Sequence, residues 1–265
     1  MQLYRDWLER ENGLRFGNYA EMWTWSTTDL PAFWRSIWDF HQIQSRTPFE
    51  DVLGDERMPG AKWFEGAEVN YAREVFRHIE AADAMGLPAI VAEDECGQVR
   101  EIAWPELRRR AVSLALAMRE SGVVRGDRVA AYLPNIPEAV IALLACASLG
   151  AIWTICSPDM GAPAVLDRFR QIAPKVLIAV DGVHYAGKAL DRSAAIAELR
   201  QALPSVETLF VVESGLAQTD IPGARSLEAA LARDDAVVDA FEPEWLPFDH
   251  PLWILYSSGT TGLPK

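Results

Sequence analysis

From about Ala89 onward, short apolar runs alternate with stretches whose apolar residues recur every three to four positions, and this alternation constrains the fold more than any other feature. Residues 89–92 and 100–103 read as a hairpin around Cys96-Gly97-Gln98, with Asp94 and Glu95 at its tip. Pro105 opens a helix carrying Leu107, Ala111, Leu114 and Met118 on one face, and Gly122 ends it. Residues 128–133 then form a strand, Pro137 begins an apolar helix, and residues 151–156 form the next strand. The rhythm continues with a helix near 163–173, a strand at 176–180, a helix near 189–203 and a strand at 207–212. Ser226 caps a short helix with Glu228 in its first turn. Residues 234–247 are acidic and lack periodicity, so a surface connection is expected there, with Asp234-Asp235 as a solvated face. A last apolar strand spans 252–256. Successive strand–helix units of this kind imply an α/β domain with a parallel sheet.

Residues 1–65 have a different texture. Trp7, Trp23, Trp25, Trp34, Trp38 and Trp63 crowd into them without a strand alternation, which predicts helices and loops packed by aromatic anchors. Asp29-Leu30-Pro31 starts a helix in which Phe33, Ile37, Trp38 and Phe40 are expected to share a face.

Composition narrows the functional classes. Half of the 265 residues are hydrophobic, enough for a sizeable core, and 38 acidic against 25 basic side chains give a formal charge of -13. Broad contact with nucleic acid or anionic lipid is therefore not expected. The charged start from Met1 to Arg10 lacks the apolar stretch of a secretory signal, so the cytoplasm is the expected compartment. The apolar run 139–156 is interrupted by Ser148 and Gly150 and reads as a buried helix followed by a buried strand, not a membrane span. Cys96, Cys146 and Cys156 are far apart and form no metal or redox pair, and His41, His78, His184 and His250 have no ligand spacing.

The chemistry is concentrated in Tyr256-Ser257-Ser258-Gly259-Thr260-Thr261-Gly262-Leu263-Pro264-Lys265. A polyphosphate site needs converging N–H groups, hydroxyl donors and a cation on a loop that approaches closely. Gly259 and Gly262 free the backbone, Ser257, Ser258, Thr260 and Thr261 supply hydroxyls, and Lys265 supplies the charge. A Walker A loop is excluded, because Leu263-Pro264 follows the second glycine and the lysine comes three residues after it. A flexible turn rich in small residues is the competing reading.

This string resembles the phosphate-binding signature of the adenylate-forming superfamily, which contains acyl-CoA synthetases, nonribosomal peptide adenylation domains and luciferases. Within it, the chain resembles the acetoacetate–CoA ligase family. The segments Phe33-Trp34-Arg35-Ser36-Ile37-Trp38-Asp39-Phe40, Pro59 through Ala72 with its Trp-Phe-x-Gly-Ala-x-x-Asn-Tyr-Ala pattern, and His250 through Ser258 carry that likeness. The resemblance implies an α/β fold: an incomplete N-terminal large domain of the adenylate-forming enzyme, with residues 1–88 as a helical and loop extension and 89–265 as the first part of the AMP-binding domain. It also implies an ATP-dependent reaction in which an acid, acetoacetate or another short acid, becomes an acyl-adenylate and then a coenzyme A thioester, with AMP and pyrophosphate released. Ser257, Ser258, Gly259, Thr260, Thr261, Gly262 and Lys265 are then assigned to the β- and γ-phosphates, with Mg2+ as the expected companion of ATP. In relatives of the acetyl-CoA branch, a Gly-rich turn with basic residues meets the nucleotide phosphates of coenzyme A. The corresponding stretch here is Asp181 through Lys188, in which Lys188 keeps the charge, and a solvated turn lysine is the alternative reading. The likeness further implies that the adenine, ribose and acid sites, the hinge and a mobile C-terminal domain lie beyond residue 265, so that residues 1–265 alone are expected to be inactive.

Overall fold

In the computed structural model, which describes residues 1–257 and Pro264, the tryptophan-rich beginning folds into helices α1 (Gln2–Asn12), α2 (Tyr19–Thr28) and α3 (Leu30–His41). Asp29 ends α2 and starts α3, its side chain accepting the N–H of Ala32. The expected single face of α3 is in fact two. Phe33, Ile37 and Phe40 pack on Tyr4, Leu8 and Met22, whereas Trp38 turns away and stacks on Phe64 with ring centres 4.6 Å apart. Short strands follow: β1 (Leu53–Asp55) pairs antiparallel with β2 (Lys62–Trp63), and β3 (Glu68–Val69) pairs with Leu246–Pro247. Phe64 is buried at φ 46, and Gly66 sits at φ 88, where an added Cβ would lie 3.3 Å from the Pro48 carbonyl oxygen. The Trp-Phe-x-Gly-Ala pattern is thus a knot in the backbone of this unit. Met1–Val69 with Trp245–His250 make up the unit, and Asn70–Glu244 with Pro251–Lys265 make up the other.

The second unit opens with α4 (Tyr71–Phe76), α5 (Ile79–Ala84) and the hairpin β4 (Ile90–Glu93) and β5 (Val99–Ile102). Then come α6 (Trp104–Glu120), β6 (Arg128–Tyr132), α7 (Pro137–Leu149), β7 (Ile152–Cys156), α8 (Ala162–Phe169) and β8 (Val176–Val180). A second hairpin, β9 (Gly182–Tyr185) with β10 (Lys188–Asp191), precedes α9 (Ser193–Ala202) and β11 (Thr208–Val212). The unit continues through β12 (Arg225–Ser226), α10 (Leu227–Leu231) and α11 (Ala236–Asp239).

Five strands form one parallel sheet in the order β12-β11-β8-β6-β7. Because side chains alternate across a strand, each strand feeds two cores. Val129, Ala131, Trp153, Ile178 and Phe210 pack under α6, α7 and α10, while Ala130, Tyr132, Leu177, Ala179 and Leu209 pack under α8 and α9. The expected α/β class and parallel sheet are observed, as is the division of residues 139–156 into a buried helix and a buried strand. Among the described residues no helix is long and apolar enough to cross a membrane.

Two local expectations change, and a third is sharpened. Residues 189–191 belong to β10 rather than to a helix, because they pair with β9, and α9 starts only after Asp191 accepts the N–H and hydroxyl of Ser193. The helix expected at 163–173 stops at Phe169, and Ala173 is left-handed at φ 45. The acidic stretch after α10 lies at the surface, with 234–237, 239 and 240 exposed, but it is more ordered than a plain connection: Arg108 donates to the carbonyls of Val238, Asp239 and Phe241, and Val238 and Phe241 are buried. Asp234 and Asp235 are exposed, as expected of a solvated face, and Asp235 also caps α11 and pairs with Arg233.

Asn70 explains why an asparagine stands in the N-terminal pattern. It is buried, accepts the Ala72 N–H, and donates to the carbonyls of Ala147 and Glu244, both at 2.8 Å. Replacing it with alanine removes the side-chain donors to both carbonyls, of which Ala147 O still accepts the Gly150 N–H, and the acceptor of the Ala72 N–H. Asn70→Ala is expected to cost about 2–4 kcal/mol in urea unfolding.

Candidate active site

Numbered by appearance, the sheet runs 5-4-3-1-2, so the chain steps from β6 to β7 on one side and then crosses to β8 on the other. Parallel sheets wound this way bind ligands beyond the carboxyl ends of their strands. The chain's last described stretch is laid against that arrangement. Trp153 donates its N–H to Leu252 O at 3.1 Å, and Ile254 donates to Trp153 O at 2.8 Å, which is a parallel bridge beside β7. The fully buried Thr154 hydroxyl donates to Ile254 O at 2.9 Å. The strand expected at 252–256 is therefore a single bridged pair, Trp153 with Trp253, and it delivers Ser257 to the carboxyl edge of the sheet.

Helix α8 and the residues just after it hold both flanks of the phosphate-loop candidate. The Tyr256 hydroxyl donates to Arg168 O at 2.9 Å with the Arg168 guanidinium over its ring, and Gln171, just past α8, donates its side-chain amide to Pro264 O at 3.0 Å. Burial raises the Tyr256 phenol above its ordinary range, so it remains a neutral donor near neutral pH. Tyr132, at the carboxyl end of β6, places its hydroxyl 3.0 Å from Pro158 O and 2.8 Å from Met160 O, which fixes the connection into α8. Ser257 is exposed; Ser258, Gly259, Thr260, Thr261, Gly262 and Lys265 lie outside the described residues.

Lys188 is exposed on the β9–β10 hairpin that leaves the carboxyl end of β8. The segment at 252–254 and β8 are three strand spacings apart, about 14 Å. Ser257 and Lys188 thus share one edge of the sheet at different positions along it. Thr154, Arg168 and Gln171 were not distinguishable in the sequence as supports of the loop, because each acts through contacts with residues roughly 90 to 100 positions away.

The cysteines are not part of this chemistry. All three are free; Cys96 is exposed, whereas Cys146 and Cys156 are buried. Burial pushes the Cys156 thiol up to about 11, against a smaller downward pull from Arg168, and it pushes Cys146 up as well.

A three-layer α/β unit whose chain reaches the carboxyl edge of a parallel sheet at Ser257, where a Ser/Gly/Thr-rich sequence begins, fits the class of nucleotide-using α/β proteins. The chain is a member of the AMP-binding enzyme family, whose model matches residues 78–265, and residues 19–75 match the model of the acetyl-coenzyme A synthetase N-terminus. It is 38% identical to an acetoacetyl-CoA synthetase of Xenopus tropicalis, covering 100% of this chain and 40% of that protein. It is 37% identical to an acetoacetyl-coenzyme A synthetase of Rhizobium meliloti (strain 1021), with the same coverage of both. The solved structure of acetoacetyl-CoA synthetase from Streptomyces lividans matches with a TM-score of 0.91 and 44% identity, over 99% of this chain and 40% of that one. The chain spans about 40% of the length of these relatives.

Two outcomes follow from this geometry. At pH 8 a thiol reagent should label Cys96 in the native chain, with Cys146 and Cys156 reacting only after denaturation; prompt labelling of all three would contradict the burial. Thr154→Val keeps the shape but leaves Ile254 O without its donor, which is expected to lower stability by about 1–2 kcal/mol and to speed amide exchange at Ile254.

Proposed function

We propose that this chain forms the ATP-phosphate side of the active site of an AMP-forming acid–CoA ligase that activates acetoacetate. The observation that carries the reading is the coincidence, in one chain, of the Ser257–Lys265 loop with similarity to acetoacetyl-CoA synthetases along its whole length. In such a reaction the carboxylate oxygen of the acid attacks the α-phosphorus of ATP and pyrophosphate leaves. The thiol of coenzyme A then attacks the acyl carbon and AMP leaves.

The residues of the loop suit the first step. Hydroxyls of Ser257, Ser258, Thr260 and Thr261, N–H groups freed by Gly259 and Gly262, and the Lys265 ammonium can bind and orient the β- and γ-phosphates. Delivery of Ser257 to the carboxyl edge of the sheet, with its flanks tied to Arg168 of α8 and to Gln171 just past it, fits a polyphosphate at that edge. Magnesium, carried on the phosphate oxygens, would offset their charge when bound. Lys188 is assigned to the nucleotide phosphates of coenzyme A. Residues 1–88 act as the extension and 89–265 as the first part of the AMP-binding domain, and the cytoplasm is the proposed compartment.

Match of residues 19–75 to the acetyl-coenzyme A synthetase N-terminus favours a second acid, acetate, as the competing substrate. The test uses a protein of the relatives' full length. CoA-dependent AMP release should be fastest per unit substrate with acetoacetate among acetoacetate, acetate, propionate and butyrate. Preference for acetate would overturn the assignment. Lys265→Ala should lower pyrophosphate release by about 100-fold or more, with the fold retained, and an unchanged rate would remove the loop from the chemistry.

A further inference from the structure

The tip of the β4–β5 hairpin is organised by one residue and used by the next. Asp94 Oδ1 accepts the N–H groups of Cys96 at 2.8 Å and Gln98 at 2.9 Å, while Gly97 takes the left-handed φ of 75 that closes the turn. Asp94 is thereby consumed within its own turn. Glu95 instead reaches across to the β9–β10 hairpin, where its Oε1 accepts the N–H of Ala186 at 3.0 Å and its Oε2 accepts the N–H of Gly187 at 3.1 Å.

Ala186 and Gly187 are the two central residues of that hairpin's turn, at φ 51 and 74. A two-residue turn with both central residues left-handed suits a β-hairpin but points both of their N–H groups away from it. Left-handed backbone is also unfavourable for alanine, so this conformation needs outside support. One carboxylate supplies it, with an oxygen for each donor. Successive N–H groups of this kind are also where an anion such as a phosphate would bind. Here the pair is already filled.

What remains is the next residue. Lys188 is exposed, and among the described residues no carboxylate pairs with it. We infer that Glu95 is a positioning residue of the coenzyme A subsite: it saturates the amides of Ala186 and Gly187, locks the turn, and leaves the Lys188 ammonium as the group offered to a nucleotide phosphate. This inference rests on the assignment of Lys188 to coenzyme A. Its chemical consequence is that the phosphate is recognised by a cation on a rigid turn and not by the turn's own backbone.

The test compares coenzyme A with pantetheine, which lacks the nucleotide, in the native sequence, Glu95→Ala, Glu95→Gln, Lys188→Ala and the double variant Glu95→Ala/Lys188→Ala. Amide signals of residues 185–188 should move with coenzyme A and not with pantetheine. Glu95→Ala should accelerate hydrogen exchange at Ala186 and Gly187. In a protein of the relatives' full length, the same substitution should raise KM for coenzyme A roughly five- to tenfold, the scale of losing two charge-assisted hydrogen bonds at an exposed site, without changing KM for ATP or acid. Glu95→Gln keeps one acceptor oxygen and should fall between. The double variant should be no weaker than Lys188→Ala alone, since both act through one group. An unchanged or lower KM for coenzyme A in Glu95→Ala, with Lys188→Ala still impaired, would overturn the positioning role and make Glu95 a bystander or a competitor of the phosphate. If Lys188→Ala leaves KM for coenzyme A unchanged, the assignment of this turn to coenzyme A fails, and the inference falls with it.

Discussion

Because β8 runs parallel between β6 and β11, with helices over both faces, every residue from Val176 to Val180 must be apolar, and all five are buried. The same requirement passes outward to its neighbours. It explains the alternation of Val129 and Ala131 with Ala130 and Tyr132, one pair in each core. It also explains why α7 carries apolar residues nearly all round. Burial on two sides then makes any polar group in the helix layer expensive unless it is paired. Arg110 and Glu138, both nearly buried, meet that condition together: Arg110 contacts Glu138, Glu106 and Glu228, and Glu138 also takes Arg100 at 2.6 Å. One ionic cluster thus joins β5, α6, α7 and α10.

The carboxyl edge of this sheet is where rigidity becomes useful. Strand ends are fixed by neighbours on both sides, so whatever follows them starts from a defined position. Residues 252–254 borrow that order from β7 through two backbone hydrogen bonds and the Thr154 hydroxyl. The hairpin after β8 takes its order differently, from a carboxylate on another hairpin. Both arrangements place the proposed site residues on short loops whose supports are elsewhere in the chain.

Much of this was legible in advance. Strands and helices of the second unit follow from periodicity, and the caps at Asp29 and Ser226 follow from local hydrogen-bonding chemistry. Errors fell where distant partners decide the outcome. Residues 189–191 have enough helical character to extend α9 backwards, yet pairing with β9 wins. Residues 234–247 read as a solvated connection because their acidity is local, and most of 234–240 is exposed, but Arg108 binds their carbonyls and Val238 and Phe241 fill the core. Trp38 lies about 140° around the helix from Phe33, whereas Ile37 and Phe40 lie within about 40° of it, so Trp38 faces Phe49, Phe64 and Phe248 instead.

By itself the sequence determined the α/β class and the order of most elements, and it marked the ten-residue string proposed as the phosphate loop, because periodicity, caps and a motif are all local properties of the chain. Only the tertiary structure decided what supports the sites. Asn70 is a buried pin linking Ala147 and Glu244, Arg168 and Gln171 tie down Tyr256 and Pro264, and Glu95 fills the turn beside Lys188. Each of these roles depends on a hydrogen-bond partner at least 77 residues away, and no short-range pattern encodes which distant carbonyl or amide a side chain will meet.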